Sequence, residues 1–456
     1  MIGSVADELA HLLGDDSLVS GSLRSYASDA TQLEGLVRAP EVVVAPRSAQ
    51  DVVVLVEWAY RNDVPLVPRG GGTGFAGGAV PVHGELVVDL SRLDRVRALD
   101  PGLWRAHVEA GVTTATIHRL ARENGLYFPP DPGASEQSQL GGNIATNAGG
   151  PHAFKYGVTG AWVTGIEAVI PPGELVQVGG PVRKDVAGYD LKSLLIGSEG
   201  TLGIITAAWL RLIPAPECRV PVVAGYQQTA QGCAAIEAIF ASGVVPAAIE
   251  FIQGTAVDAS RASFPLPLPG EVSFLVIAEV DGQPAETANN RDEVRAALEP
   301  GSSTLWAPEG AAGTAAVWRW REGVSLAVAA ERGGKVSEDI AVPLDKLSEA
   351  VDQTVEIGKE LGLPACSWGH AGDGNLHSTF LIEAGDPGDL QKAEAGGRRL
   401  HELAVQLGGS ISGEHGLGWQ KRGRLALQWG PRALELHGEI KRAFDPKNLM
   451  NPGKKT

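Results

Sequence analysis

VPLVPRGGGTGFAGGAVP, Val64 to Pro81, sets glycines at 70, 71, 72, 74, 77 and 78 directly after an apolar run that reads as a strand. Such a loop can turn several backbone N–H groups inward as a nest for an anion, and Arg69 adds a cation at its rim. The register Gly72-Thr73-Gly74-Phe75-Ala76-Gly77 even fits G-x-G-x-x-G, with Asp89 ending the following strand where the acid of a Rossmann unit would stand. A Rossmann unit, however, needs a helix between parallel strands, in a crossover of a dozen or more residues. Only Gly78 to Gly84 separate the last glycine from ELVVDL, and Pro81 lies among them. There is no room for the helix, so the stretch is a phosphate loop of another kind or a flexible turn.

Two further runs of small residues favour the first reading. PPDPGASEQSQLGGNIATNAGG, Pro129 to Gly150, offers Gly141, Gly142, Gly149 and Gly150, where bare backbone can approach a flat ring. GYDLKSLLIGSEGTLGIIT, Gly188 to Thr206, repeats the chemistry. Three such runs in one domain point to an extended dinucleotide.

Around these runs short apolar strands alternate with glycine-rich turns: EVVVAP, VPLVP, ELVVDL, WRAHVEAG, AWVTGIEAVI and GIITAAWLRLI. SAQDVVVLVEWAYRND and TTATIHRLAREN carry helical apolar faces. The prolines of IPAPECRVP, Ile213 to Pro221, end this α and β region. Beyond them the order is strand VPVVAGY, helix TAQGCAAIEAIFAS, strands AAIEFI and VSFLVIAEV, helix AETANNRDEVRAALE and strand SSTLWA, the βαββαβ order of a ferredoxin-like unit. Further helices and a basic, proline-containing tail, FDPKNLMNPGKKT, follow. The fold class is therefore α+β, with boundaries expected at 1–215, 216–408 and 409–456.

A net charge of −16 over 456 residues repels phosphate backbones, so nucleic acid is excluded as a partner and an anionic substrate needs a local cation. Cys218, Cys233 and Cys366 form no disulfide framework and no cluster able to hold iron–sulfur, which fits a reducing cytoplasm. The opening MIGSVADELAHLLGDD reads as neither signal nor transit peptide, and no transmembrane span is expected, with peripheral attachment to the inner membrane left open.

HAGDGNLH, His370 to His377, carries two imidazoles at a spacing that suits neither one helix nor one strand. A hairpin resolves it: PACSWGH runs out, Asp373-Gly374 turns, and LHSTFLI returns, setting the two rings side by side across the pair. GGSISGEHGLG, Gly408 to Gly418, offers Glu414 and His415 as further groups. Two imidazoles with a carboxylate suit a divalent ion such as Zn, Fe or Mn. The alternative is a buried hydrogen-bonded histidine pair. Cys366 reads as a packed core thiol.

Together RGGGTGFAGG, LGGNIATNAGG, KYGVTGAWVTGIEAVIPPGE, GSEGTLGIIT, HAGDGNLH and GGSISGEHGLG closely resemble the FAD-dependent 2-hydroxyacid dehydrogenases of the vanillyl-alcohol oxidase type, over nearly the whole chain. The resemblance implies a two-part FAD domain, a ferredoxin-like cap, and a chain end returning to the flavin. It implies FAD contacts from Arg69, Gly70, Gly71, Gly72, Thr73, Gly74, Gly77 and Gly78, from Pro132, Gly141, Gly142, Thr146, Gly149 and Gly150, and from Glu199, Gly200, Gly203 and Ile204. Thr73 and Gly74 stand where relatives with covalent flavin use a histidine, so a non-covalent FAD is expected. His370, His377 and Glu414 are implied as metal ligands and His415 as the base. Arg321 matches the arginine that holds the substrate carboxylate, and Ser325 an assisting hydroxyl, whereas Arg319 reads as a surface charge. Lys335 is displaced by about two residues from the family's later lysine when Asp339 and Pro343 are matched, which puts a dicarboxylate substrate in doubt.

The implied reaction is oxidation of a D-2-hydroxy acid of lactate or glycolate type, by hydride transfer to flavin N5. Electrons then pass to a quinone, an electron-transfer flavoprotein or a cytochrome-type carrier, and a homodimer is compatible with the family. Two competing classes are a non-catalytic FAD-binding subunit of a larger oxidase and a metallohydrolase. Against the latter, HELAV at His401 lacks the second histidine of H-E-x-x-H, and no G-x-S-x-G elbow occurs.

Overall fold

The computed structural model describes residues 2–31 and 35–455, so Met1 and Thr456, the outer limits of the expected domains, lie outside the described residues. The chain divides into two units. The first contains Met1–Gly149, Gly157–Ala215 and Glu414–Thr456; the second contains Gly150–Tyr156 and Pro216–Gly413.

In the first unit, three short strands lie in the order Val43–Val44, Leu86–Asp89, Leu66–Arg69, and both pairings are parallel. Their near-continuous valines and leucines fit a parallel sheet covered on both faces. The helix Ala49–Arg61 covers one face; it starts at Ser48, whose side chain accepts from the Asp51 amide, and packs Val52, Leu55, Val56 and Trp58 among Leu66, Leu86 and Val88. The crossover between Leu66–Arg69 and Leu86–Asp89 is the glycine stretch, and it contains no helix. Parallel pairing is thus reached without a Rossmann helix, as the spacing demands.

Beside it stands an antiparallel sheet in the order Val96–Asp100, Arg105–Glu109, Ile204–Arg211, Val163–Ile170, Glu174–Gly179. The two outer strands escaped the sequence reading because they are edge strands with exposed side chains rather than clear apolar alternation. The tail is also more structured than its basic composition indicated. The helix Pro431–Phe444 precedes it, and Met450 then bridges in parallel to Leu66, extending the first sheet.

Among the described residues of the second unit, seven strands form one sheet: Thr304–Trp306, Cys218–Tyr226, Phe274–Gly282, Ala248–Gln253, Ala365–His370, Asn375–Glu383, Gly333–Ala341. The first four are in spatial order 4-1-3-2 of the βαββαβ unit, with antiparallel neighbours throughout. The hairpin extends that sheet through Ala248–Gln253, and Gly333–Ala341 closes it. This last strand was missed because Lys335, Ser337 and Asp339 make its second face polar; the neighbouring strand answers with Thr379 and His377 on the same face. Helix Gly310–Arg332 lies over that face, burying Val317, Trp320, Val324 and Val328 against Ile252, Leu275, Ile277, Cys366 and Leu381.

Two short segments depart from the expected boundaries. Gly150–Tyr156 packs with the second unit because His152 bonds Glu279 at 2.8 Å, and Lys155 and Tyr156 bond Asp281 at 2.5 and 2.6 Å. Residues 409–413 also stay there, through the Ser410–Ala341 bridge and a 2.8 Å bond from Ser412 to Asp339.

Candidate active site

The hairpin forms as expected in outline, but its register differs. Trp368, not His370, stands opposite His377, and His370 lies two residues further along the same face. The cause is a longer connection: a 3₁₀ turn at Ala371–Asp373 and a left-handed Gly374 (φ 66°) replace the two-residue turn. Diagonal neighbours are still within reach of long side chains. The two imidazoles meet edge to face, with centroids 5.4 Å apart, and both residues are buried.

Across the sheet, Glu250 stands opposite His370 and Asp339 opposite His377, so all four share one face. Glu250 is fully buried. Its Oε1 lies 2.6 Å from Nδ1 of His370, while its Oε2 accepts from Nε and Nη2 of Arg321 at 2.7 and 2.6 Å. Arg321, expected to face a substrate carboxylate, is therefore a buried cation already bonded to an acid through two of its nitrogens. Breaking such a pair by removing one partner typically costs about 3–5 kcal/mol. On the far side, Asp339 accepts from Asn375 Nδ2 at 2.7 Å and from Ser412 Oγ at 2.8 Å.

The sequence reading missed Glu250, Asp339 and Asn375 as parts of this cluster. One signal was available: a lone glutamate inside AAIEFI is costly to bury unless something pairs with it. Ser325, one turn beyond Arg321, is half-buried, and Arg319 is exposed. Lys335 donates to Ser337 at 2.7 Å and lies over the Trp368 ring, on the strand face that carries Asp339. Cys366 is fully buried, and desolvation pushes its thiol up to about 12, so it behaves as a core residue.

In the first unit, Arg69 is not at the rim of the glycine loop. It is 7% exposed and bonds the carbonyls of Ser25 and Ala79, so it braces the loop from beneath. Burial lowers its pKa. At Gly72 (φ 66°) a side chain would be strained by the left-handed backbone and would collide with the Arg69 guanidinium, so glycine is favoured there. Thr73 is half-buried and Gly74 exposed. In the second run Gly142 has open space where a Cβ would stand, whereas a Cβ on Gly149 would strike the Glu414 carboxylate at 2.5 Å. Thr146 donates back to the Gly142 carbonyl at 3.1 Å, and Pro132 is half-buried. Gly150, expected among the flavin contacts, falls in the second unit. In the third run Gly200 packs on Pro68, and a Cβ on Gly203 would press on the Val169 carbonyl. Ile204 is fully buried with Val169, so its side chain belongs to the core.

Glu199 has a role that spacing alone did not disclose. Its backbone is left-handed (φ 53°), and its carboxylate accepts from the amides of Leu417 at 3.0 Å and Gly418 at 2.7 Å, and from Lys455 at 3.1 Å. It thus holds the loop that follows His415. Trp419 and Gln420 donate to the Ala76 carbonyl, fastening the same loop to the first glycine run. The His415 ring stacks on Phe75 of that run, centroids 4.6 Å apart and tilted by 28°, with Glu414 Oε1 4.0 Å from its Nε2. Beneath this loop Lys454 is buried, donating to Val80 O at 2.6 Å and to Asn451 Oδ1 at 2.7 Å; desolvation lowers its pKa to about 8.

Residues 215–455 match the family described as FAD linked oxidases, C-terminal domain, and residues 40–179 match an FAD binding domain. Glycolate oxidase subunit GlcD of Bacillus subtilis (strain 168) is 33% identical over 442 residues, covering 96% of this chain and 93% of its own. D-lactate dehydrogenase of Anaerostipes hadrus is 33% identical over 94% of this chain and 92% of its own. D-2-hydroxyglutarate dehydrogenase of Stutzerimonas stutzeri (strain A1501) is 31% identical over 99% and 98%. Among solved structures, substrate-bound p-cresol methylhydroxylase superposes with a TM-score of 0.81 over 99% of this chain and 96% of its own, at 19% identity, a likeness of fold. The extent of these matches leaves one assignment: the chain belongs to the FAD-linked oxidases, as an FAD-dependent oxidoreductase with the two-domain fold of the vanillyl-alcohol oxidase type.

Proposed function

We propose that the protein oxidises a D-2-hydroxy acid of the lactate or glycolate type to the 2-oxo acid, with a divalent ion held by His370, His377 and Glu414. The observation that carries the reading is the pair of buried imidazoles with Glu250 behind one of them. A carboxylate on Nδ1 is the usual outer partner of a metal-bound histidine, because it fixes the ring and leaves Nε2 for the ion. The donor set therefore fits a borderline divalent ion such as Zn, Fe or Mn. Chain connectivity supports the third ligand: Ser412 is bonded to Asp339, and Glu414 follows two residues later, a span of about 7 Å at most. For the flavin, the open space at Gly142 and the exposed Gly74 are places where bare backbone can meet a ring or a phosphate. The named activities of the relatives supply the substrate class.

FAD, when bound, would supply a hydride acceptor for C2, and an ion held by His370, His377 and Glu414 would supply polarisation of the substrate hydroxyl. His415 is the base that takes the O–H proton. Arg321 orients the carboxylate with its remaining N–H donors, helped by the Ser325 hydroxyl. Because Glu250 already neutralises Arg321, that help is one of geometry more than of net charge. Reducing equivalents pass to a quinone or a protein carrier; no helix among the described residues is long and apolar enough to cross a membrane.

The test is anaerobic mixing of the purified flavoprotein with paired D- and L-2-hydroxy acids while flavin absorbance is followed. Bleaching by D enantiomers, or by glycolate, is expected, and a chelator should abolish it. Protein that stays oxidised with every acid, with or without added Zn²⁺ or Mn²⁺, overturns the reading.

A further inference from the structure

We propose that Glu250 is a positioning residue that sets the charge balance behind the histidine pair, one carboxylate serving at once as the anchor of His370 and the counter-ion of Arg321. The proposal rests on the metal reading above. Its basis lies entirely within the second unit. Glu250 is fully buried, so no water competes for its oxygens. Each oxygen has a distinct duty: Oε1 takes Nδ1 of His370 at 2.6 Å, and Oε2 takes Nε and Nη2 of Arg321. The sheet register fixes the first contact, since Glu250 and His370 are directly paired; the helix Gly310–Arg332 delivers the second. Asp339, the other acid on this face, accepts from Asn375 and Ser412. Glu250 offsets the guanidinium of Arg321, so that His370 can take a cation with an arginine held just behind its carboxylate partner.

This arrangement makes a prediction that mere packing does not. Glu250→Gln removes a negative charge and leaves Arg321 uncompensated beside His370, which disfavours a divalent ion. Arg321→Met removes the positive charge and leaves Glu250 anionic, which favours one. The two variants must therefore shift ion affinity in opposite directions, whereas a purely structural pair would weaken binding in both.

The experiment uses the FAD-loaded protein, stripped with a chelator and titrated with Zn²⁺ against a chromophoric chelator at one fixed pH. Glu250→Gln is expected to bind about 10- to 100-fold more weakly than the parent. Arg321→Met is expected to bind more tightly than the parent, by about tenfold. Retention of FAD and the far-UV dichroism check folding, and Arg321→Gln, which keeps a donor for Glu250, replaces the methionine variant if that does not fold. Equal affinities for the parent and Glu250→Gln, or losses in both charge variants, overturn the assignment to Glu250 alone. A parent protein that takes up no Zn²⁺ overturns the metal reading and this proposal together, so the two failures are told apart.

Discussion

Two buried glutamates, one in each unit, hold candidate residues of their own unit by different means. Glu199, in the first unit, spends its carboxylate on the backbone amides of Leu417 and Gly418 and on Lys455. Glu250, in the second, spends its own on two charged or chargeable side chains, His370 and Arg321. The first therefore fixes the path of a loop, and through it the ring of His415 on Phe75. The second ties an imidazole ring and a guanidinium to one carboxylate. Glycine-rich polypeptide has few side chains with which to hold itself, so a carboxylate reaching from 218 residues away must bond its amides directly. A sheet, already held by its ladder, leaves side chains free to be tuned by other side chains.

The largest expected effect separates the groups these glutamates serve. His415→Ala should leave FAD bound and slow flavin reduction by substrate about 10²- to 10⁴-fold in anaerobic stopped-flow, the usual weight of a general base. Normal reduction in that variant would remove His415 from the mechanism. Next comes the loop itself. Glu199→Ala strands two amides and an ammonium and should lower the unfolding free energy by about 3 kcal/mol. Glu199→Gln, which keeps an acceptor for one amide, should lose roughly half of that. Urea unfolding followed by flavin fluorescence measures both; a loss under about 0.5 kcal/mol for the alanine variant, the scale of an ordinary surface change, would mean the loop is held by Ala76 instead.

Much of this was legible in the sequence where local spacing is decisive. The distance from Gly77 to ELVVDL excluded the Rossmann helix, and the βαββαβ order gave the 4-1-3-2 core of the second sheet. The hairpin was readable, but its register was not, because the Gly374 turn takes more residues than Asp373-Gly374 alone indicated. Glu250 and Glu199 were opaque for a common reason. Their partners lie 71 to 256 residues away, and no periodicity reports a contact at that range. Arg69 was misplaced at the rim because its partners are carbonyl oxygens of Ser25 and Ala79, which any residue type can supply.

Lys454 offers the smallest effect and the sharpest view of the Glu199 side. It is buried, and desolvation lowers its pKa from 10.5 to about 8 even though Glu85, Asp29 and Glu199 pull the other way. Between pH 8 and 10.5 the unfolded chain then holds a proton that the folded chain has lost, so the contribution of Lys454 to stability rises with pH across that window and is flat below it. The gain should approach about 2–3 kcal/mol. Tyr26 and Tyr60, whose phenols are pushed up to about 12, act in the opposite sense above pH 10, and the buried thiols of Cys233 and Cys366, raised from 9.0 to about 12, do so from about pH 9; these groups are common to parent and variant and cancel in the difference between them. Urea midpoints of the parent and Lys454→Met, compared at pH 8, 9 and 10, isolate the contribution as a difference in slope. Glu199→Gln removes one of the anions that favour the ammonium, so in that background the rise should begin at a lower pH. Parallel slopes for the parent and Lys454→Met would show that the ammonium is held by Val80 and Asn451 at no cost to its proton, and that the loop side of the molecule rests on hydrogen bonds alone.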